Sequence, residues 1–361
     1  YSVNGNVVDA EDGHALQYVN VTVTGSKYAT VTNSDGGFII KSATRPEGLE
    51  FNLLGYKTSR ISYPEDGGPV VVKMTRNKLT LDEAIIISGD PYRIMEEAIE
   101  RIKDNYPNKP ELFDCFYRET IQKRHRFIFI SEAVGRLFKT SYTRVGVEGD
   151  RITVDKSRIL ASPDKKDTLS VKVAGGPAQA IYLDIVKSND LLNRVELSYY
   201  RLEMEAPSRI GDRMQFAIRL IPVVEAPYPL YEGVVYIDRE TLAFTRFDIN
   251  LDMGNKDKVT NVILVSKPAG LRFTPTEVSI RYDYSLSGGV SRVSYVRTVM
   301  RFKCDWKKRL LRTDFTAISE LVTTDRHDGE IVPIPRKESF GKLDALSDKA
   351  TFDFDPEFWK E

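Results

Sequence analysis

Alternation of apolar and polar residues at period two runs through most of this chain, and one passage breaks it decisively. In Gly89 to Glu119, GDPYRIMEEAIERIKDNYPNKPELFDCFYRE, the apolar Met95, Ala98, Ile99, Ile102 and Tyr106 recur at helical spacing, with Glu96, Glu97, Glu100, Arg101 and Lys103 on the other side. Asp90 is a good N-cap and Pro91 sits at the first helical position, where a proline is tolerated. Pro107 and Pro110 end the helix, since neither can continue its hydrogen-bond ladder. A single amphipathic helix therefore separates two regions that both read as β, and its apolar face must pack on a sheet.

Before the helix, short β-rich runs alternate with turn chemistry. The runs are 2–8, 18–23, 29–32, 38–41, 49–53, 56–62 and 70–74, separated by Glu11-Asp-Gly13, Ser34-Asp-Gly-Gly37 and Pro64-Glu-Asp-Gly-Gly-Pro69. Seven short strands at this spacing predict a β-sandwich over residues 1–77. Residues 78–88 form a connection in which Ile85-Ile-Ile87 reads as a tethering strand. Residues 89–361 make the second domain.

After the helix the runs lengthen, at 112–123, 127–140, 151–160, 197–205, 215–222, 233–238, 244–252, 261–267, 276–285, 293–305 and 312–323. This predicts a large antiparallel sheet that curls like a half-barrel, with one or two covering helices. The second helix falls in Gly175 to Asn189, where Ala180, Ile181, Leu183, Ile185 and Val186 make a short buried helix. The basic clusters Lys123-Arg-His-Arg126 and Lys307-Lys-Arg309 lie between strand-like runs and read as solvated hairpin ends.

The N-terminal residues Gly5-Asn-Val-Val-Asp9, Gly13-His-Ala-Leu16, Tyr18-Val-Asn-Val-Thr-Val-Thr-Gly25, Thr32-Asn-Ser-Asp-Gly-Gly-Phe38 and Leu54-Gly-Tyr56 closely resemble the carboxypeptidase regulatory-like domain. This is a transthyretin-like sandwich found in many envelope proteins of Bacteroidetes, often at the N-terminus of TonB-dependent receptors. The resemblance implies a non-catalytic module despite the family's name. Asn105-Tyr-Pro107 and Phe116-Tyr-Arg-Glu119 resemble a segment that follows such a sandwich in proteins whose second domain has unknown function. The hairpin from Leu230 to Arg246 is similar to the lipoprotein-carrier fold, an unclosed barrel with helices over an apolar face. The tail Phe352-Asp-Phe-Asp-Pro-Glu-Phe-Trp359 resembles the family's closing segment, and Asp167-Thr-Leu169 matches a short O-glycosylation acceptor pattern.

Charge excludes some partners. With 52 Lys plus Arg against 52 Asp plus Glu the net charge is zero, which leaves no electrostatic footprint for nucleic acid or an anionic membrane surface. No run of eighteen apolar residues exists, so no transmembrane helix is expected. The start at Tyr1-Ser-Val without Met suggests a processed or trimmed N-terminus. Together with the resemblance this places the chain in the periplasm or at the cell surface. Cys115 and Cys304, far apart on predicted strands, are expected to be buried free thiols.

Catalytic signatures are absent. The three histidines, His14, His125 and His327, are isolated, and no zinc pattern, Gly-x-Ser-x-Gly elbow, Walker loop or dinucleotide fingerprint occurs. We therefore expect no metal, no cofactor and no catalytic residue. The candidate ligand or partner surface is Tyr117, Arg118, Glu119, Tyr199, Tyr200, Tyr228 and Tyr231, because aromatic rings present an apolar face with a polar tip. Alternation sends Arg118 and Glu119 to opposite faces, with Arg118 expected to bridge to a neighbouring strand. The leading expectation is a non-enzymatic envelope adaptor with a partner-binding β domain. A carrier of lipid, lipoprotein or another apolar ligand, which requires an unfilled greasy cavity, and a glycan-binding or glycan-active protein, whose enzymatic form requires paired carboxylates in an aromatic cleft, are the alternatives.

Overall fold

The computed structural model describes residues 1–64, 68–77, 89–162, 164, 169–306 and 312–349. Seven strands come first: β1 (Ser2–Asp9), β2 (Asn20–Val23), β3 (Ala29–Val31), β4 (Gly37–Lys41), β5 (Gly48–Asn52), β6 (Ser59–Ser62) and β7 (Val70–Met74). They form two sheets, β4-β1-β7 and β3-β2-β5-β6. Val3, Val7, Phe38, Ile40, Val72 and Met74 from the first sheet meet Val21, Val23, Leu49 and Phe51 from the second in one buried cluster. The expected sandwich is present, with β1 and β7 paired in parallel.

Helix α1 (Pro91–Glu100) opens as its sequence dictates, with the Asp90 side chain accepting from Tyr92 N. It is followed by the single turn α2 (Ile102–Asn105). The long strands are β8 (Glu111–Lys123), β9 (Arg126–Lys139) and β10 (Arg151–Ala161). After the short β11 (Lys172–Val173) the expected single helix is split into α3 (Gln179–Tyr182) and α4 (Ile185–Ser188), and a further turn α5 (Arg194–Leu197) follows. The split has a cause: Asp184 turns inward between the two and is fully buried, so its carboxylate has to be met by the sheet below.

The chain continues with β12 (Tyr200–Met204), β13 (Ser208–Ile210), β14 (Arg213–Pro222), β15 (Tyr231–Asp238) and β16 (Phe244–Leu251). The expected strand over 261–267 begins instead as the last turn of a helix, α6 (Lys256–Ile263), and only its second half, β17 (Leu264–Ser266), is extended. Asn255 caps that helix by accepting from Lys258 N, and Val259 and Ile263, one turn apart, bury its apolar side. Strand 197–205 likewise starts late, because Asn193 caps α5 by accepting from Val195 N and Glu196 N. Last come β18 (Leu271–Ser287), β19 (Val290–Trp306), β20 (Thr313–Arg326) and the turn α7 (Leu346–Lys349).

Eleven strands make one open antiparallel sheet in the order β10-β9-β8-β20-β19-β18-β16-β15-β14-β12, with β13 beside β14. Ile152 of β10 at one end and Tyr200 and Leu202 of β12 at the other belong to the same buried cluster. A flat sheet of this width cannot bring its ends to one core, so it curls. The cover over its inner face is larger than one or two helices: α1 to α5 lie over one half, and α6 with the β11-β17 pair over the other.

Both ends of the open sheet are capped. At β12 the Tyr92 hydroxyl accepts from Leu202 N at 3.2 Å and donates to Tyr200 O at 3.4 Å. At β10 the Ser339 hydroxyl accepts from Ile152 N at 3.1 Å, and Phe340 N donates to Ile152 O at 2.9 Å. The cluster 123–126 is a hairpin end, with Arg124 and His125 both at positive φ. Lys307-Lys-Arg309, Ile85-Ile-Ile87 and Phe352 to Trp359 lie outside the described residues, as does Asp167 with Thr168.

Candidate functional site: a charged row on the outer face and a buried tetrad beneath the cover

The inner face is filled with side chains. Phe244, Phe247, Tyr282 and Tyr284 stack or meet edge to face, with Phe244 to Phe247 at 5.5 Å and Tyr282 to Tyr284 at 5.0 Å between ring centroids. Tyr106 joins them from the end of α2 at 5.4 Å from Tyr284, and its hydroxyl donates to Phe244 O at 2.7 Å. At the rim, a depression with about 200 Å3 of space open to solvent is lined by residues including Glu111, Lys139, Tyr142 and Arg292. The greasy cavity that a carrier requires is thus occupied, across the described residues of this face, by the protein's own aromatic side chains.

Beneath the cover lie four buried charges. Lys139 at the end of β9, Asp150, Asp184 and Lys187 of α4 are each at most 2% exposed. Lys139 donates to Asp184 and lies 3.0 Å from Asp150 Oδ2. Lys187 donates to Asp150 Oδ1 at 2.5 Å and to Thr140 O at 2.7 Å. Asp184 also accepts from the hydroxyls of Tyr142 and Tyr284, each at 2.6 Å. Burial and the neighbouring Lys139 ammonium push the Lys187 amine down to about 8, whereas at Lys139 the two carboxylates outweigh burial and hold its pKa above the usual value. Every charge here is paired, and the cluster pins α3 and α4 to the sheet.

A second polar feature crosses the inner face between the two apolar clusters. Ser131, Glu119, Ser319 and Thr298 stand opposite one another on β9, β8, β20 and β19. Glu119 Oε1 accepts from the Tyr117 hydroxyl and from Gly176 N, both at 2.6 Å, and burial raises its pKa. Arg118, as expected from alternation, points to the other face and pairs with Glu132 of β9 at 2.5 Å.

On that outer face the register aligns one row across ten strands: Arg158, Glu132, Arg118, Glu320, Arg297, Arg281, Asp248, Val234, Arg219 and Glu203. Signs alternate from Arg158 to Arg297, the arrangement that favours cross-strand pairs. The alternation breaks where Arg297 and Arg281 adjoin, and there the sandwich docks. The Tyr18 ring stacks on Tyr295 at 5.9 Å between centroids and 27° between planes, with the guanidinium carbons of Arg297 and Arg281 at 4.6 Å and 5.8 Å from its centre. Asp283 supplies the missing anion, accepting from both Arg281 and Arg246. Burial works against its charge, but the two guanidiniums outweigh this and hold its pKa below the usual value.

The seven sequence-predicted residues do not form one site. Tyr117 and Glu119 lie on the inner face and Arg118 on the outer. Tyr199, Tyr200, Tyr228 and Tyr231 gather at the far end, where Tyr231 N donates to the Tyr200 hydroxyl at 3.1 Å and the Tyr228 hydroxyl donates to Glu196 at 2.7 Å. Six strands stand between β8 and β12 in the sheet order. Asp9, Asp12 and His14 come within metal-ligand reach of one another, but Arg76 fills the spot, donating to Asp9 and to Asp12 at 2.7 Å each. Sequence reasoning missed the tetrad and the row, whose members come from distant segments; the alternation that placed Arg118 outward was the one signal pointing to the row. Cys115 and Cys304 are buried free thiols.

Comparison with known proteins bears on the first domain. A TonB-dependent receptor P3 of Formosa agariphila is 33% identical over 89 residues, which is 24% of this chain and 9% of the receptor. The chain thus spans less than a tenth of that relative. A solved DUF1329 family protein from Desulfovibrio piger matches 65% of this chain and 94% of its own at 11% identity, with a TM-score of 0.27, a likeness too slight to carry an argument. Residues 3–86 match the CarboxypepD_reg-like domain family and extend past β7 into the connection, so the N-terminal part of this chain is a CarboxypepD_reg-like domain.

Proposed function

We propose that this is a non-catalytic interaction protein of the bacterial cell envelope, in which a CarboxypepD_reg-like sandwich is docked on the back of a large open sheet. The observation that carries this reading is the filled inner face, where Tyr282, Phe244 and Phe247 are fully buried and occupy the space a carried ligand needs. Surface chemistry is then what remains for partners, and the outer charged row and the aromatic corner around Tyr199 and Tyr228 supply it. The envelope placement draws support from the match of residues 3–86 and from the TonB-dependent receptor relative. No helix among the described residues is long and apolar enough to cross a membrane.

The test is native mass spectrometry of the protein purified without detergent from the periplasm of a Gram-negative host. A mass equal to that of the polypeptide is expected. A reproducible lipid or acyl adduct at one per chain, released by solvent extraction, would overturn the reading in favour of a carrier.

A further inference from the structure

The neutral total charge of the chain conceals an uneven distribution, because strand register gathers cations at one end of the large sheet. The β8-β9 turn lies beside the start of β20, with Arg124 N donating to Asp314 O at 3.0 Å and Lys123 opposite Phe315. Next to it Lys303 of β19 stands opposite Asp314, and Trp306 at the end of β19 stands opposite Leu271 at the start of β18. Lys267 is tied to that corner by donating to Leu271 O at 2.7 Å. Along this rim, residues 122–127, 267–272, 303–306 and 312–314 hold seven Lys and Arg against two Asp, so the rest of the chain is net acidic. The two acids are loosely engaged, Asp314 with Lys303 at 3.7 Å and Asp305 with Arg272 at 3.9 Å. Arg124, Arg126, Lys267, Arg272 and Arg312 are exposed.

Two aromatic side chains stand among these cations. Phe127, the second residue of β9, is 51% exposed, and Trp306 is 37% exposed. Among the described residues neither belongs to an apolar cluster. A solvated hairpin end accounts for the cations but not for an exposed phenylalanine and tryptophan. The boundary of a bilayer suits both, since cations are drawn to anionic headgroups and aromatic rings settle among them. A soluble polyanion matches the charge and leaves the rings without a partner. We propose that this end of the sheet is a docking surface for a bilayer containing anionic phospholipid, with lipid phosphates on the cations and Phe127 and Trp306 in the headgroup layer. The attachment is peripheral and leaves the filled inner face unchanged. The inference rests on the interaction reading and adds a surface and a partner to it.

The test is co-sedimentation of the full chain with vesicles of phosphatidylcholine, with and without phosphatidylglycerol. Phosphatidylglycerol should strengthen binding about twentyfold or more, and raising salt from about 0.05 M to about 0.5 M should remove that gain, because the Debye length shrinks to a few ångström. Each cation at an anionic surface changes partitioning by roughly fivefold, so Arg124→Glu with Arg312→Glu should abolish most of the gain. The same reversal in the aromatic corner, Arg194→Glu with Arg201→Glu, should have little effect. Phe127→Ser should weaken vesicle binding about fivefold and leave any binding to soluble heparin unchanged. Circular dichroism checks that each variant is folded, and the lipid and salt dependence of the parent tests the proposal without any variant. No preference for anionic vesicles, a preference that survives the reversal at Arg124 and Arg312, or an equal loss from the corner pair overturns the proposal. Binding to heparin without binding to vesicles also overturns it and assigns the surface to an acidic polymer. Native mass spectrometry reads an enclosed lipid on the purified protein, so either reading can fail without the other.

Discussion

Asp150 and Lys187 form one hydrogen-bonded pair, yet removing either partner has very different consequences. Asp150→Asn leaves two ammonium groups, Lys139 and Lys187, sharing the single carboxylate of Asp184 in a site where all four residues are at most 2% exposed. Breaking a buried pair in this way costs about 3–5 kcal/mol. For a domain of this size each kcal/mol moves Tm by about 2–4 °C, so the loss is about 6–20 °C. Lys187→Met removes the cation that the site charges least willingly. Its amine is lowered from 10.5 to about 8 even with the Asp150 carboxylate beside it, so keeping it protonated costs about 3 kcal/mol, against which stand its two hydrogen bonds to Thr140 at about 1–1.5 kcal/mol each. The net change is within about 1 kcal/mol. Asp150 then keeps Lys139 and the two donors of Thr140. Urea unfolding followed by far-ultraviolet circular dichroism, fitted for the transition of the large domain, measures both variants. Asp150→Asn should lose at least about 2 kcal/mol more than Lys187→Met, and the double variant should recover part of the loss. Equal losses in the two single variants would refute the reasoning.

The same lysine sets a pH dependence. Because its folded pKa lies below its unfolded value, the unfolded chain binds more protons between pH 8 and 10.5, and stability from this group rises with pH across that window. The difference in unfolding free energy between the parent and Lys187→Met should therefore grow in the parent's favour from pH 8 to 10; a flat difference refutes the assignment. Glu119→Gln keeps an acceptor for Tyr117 and Gly176 N and should change stability by less than about 1 kcal/mol, whereas Glu119→Ala strands both donors and should cost about 2–3 kcal/mol by the same unfolding assay. Both thiols should be unreactive to Ellman's reagent in the native protein and should react fully in denaturant, since burial pushes Cys115 far up and Cys304 to about 11. Rapid reaction of the native protein would contradict that burial.

What was legible in the sequence follows from how local each signal is. The Asp90 cap and the 3.6-residue spacing of Met95, Ala98 and Ile102 marked α1 correctly, because capping and amphipathicity are written in neighbouring residues. All seven sandwich strands and most of the long ones followed from alternation and turns. Helix α6 was missed although Asn255, Val259 and Ile263 carried its cap and its face, because the β-branched residues of 259–265 outweighed them. The insert 175–189 was read as one helix because nothing local reveals that Asp184 turns inward to meet Tyr142 and Tyr284, residues 42 and 100 positions away. The outer charged row depends on register between strands, and no single stretch of sequence fixes it. For the same reason the seven candidate residues were chosen for their types and were then distributed over three places.

The caps at the two ends of the open sheet have a consequence for how the chain is made. Tyr92 leaves the ribosome more than a hundred residues before β12, so the guard for that end waits in place when its strand emerges. Ser339 and Phe340 are synthesised almost 190 residues after Ile152, so the β10 end stays bare until they emerge. An uncapped strand is an invitation to pair with a neighbouring nascent chain. The hazardous interval in the biogenesis of this protein is therefore the one between the emergence of β10 and that of Ser339 and Phe340, and a chain truncated just before them keeps the sheet but not the guard at β10.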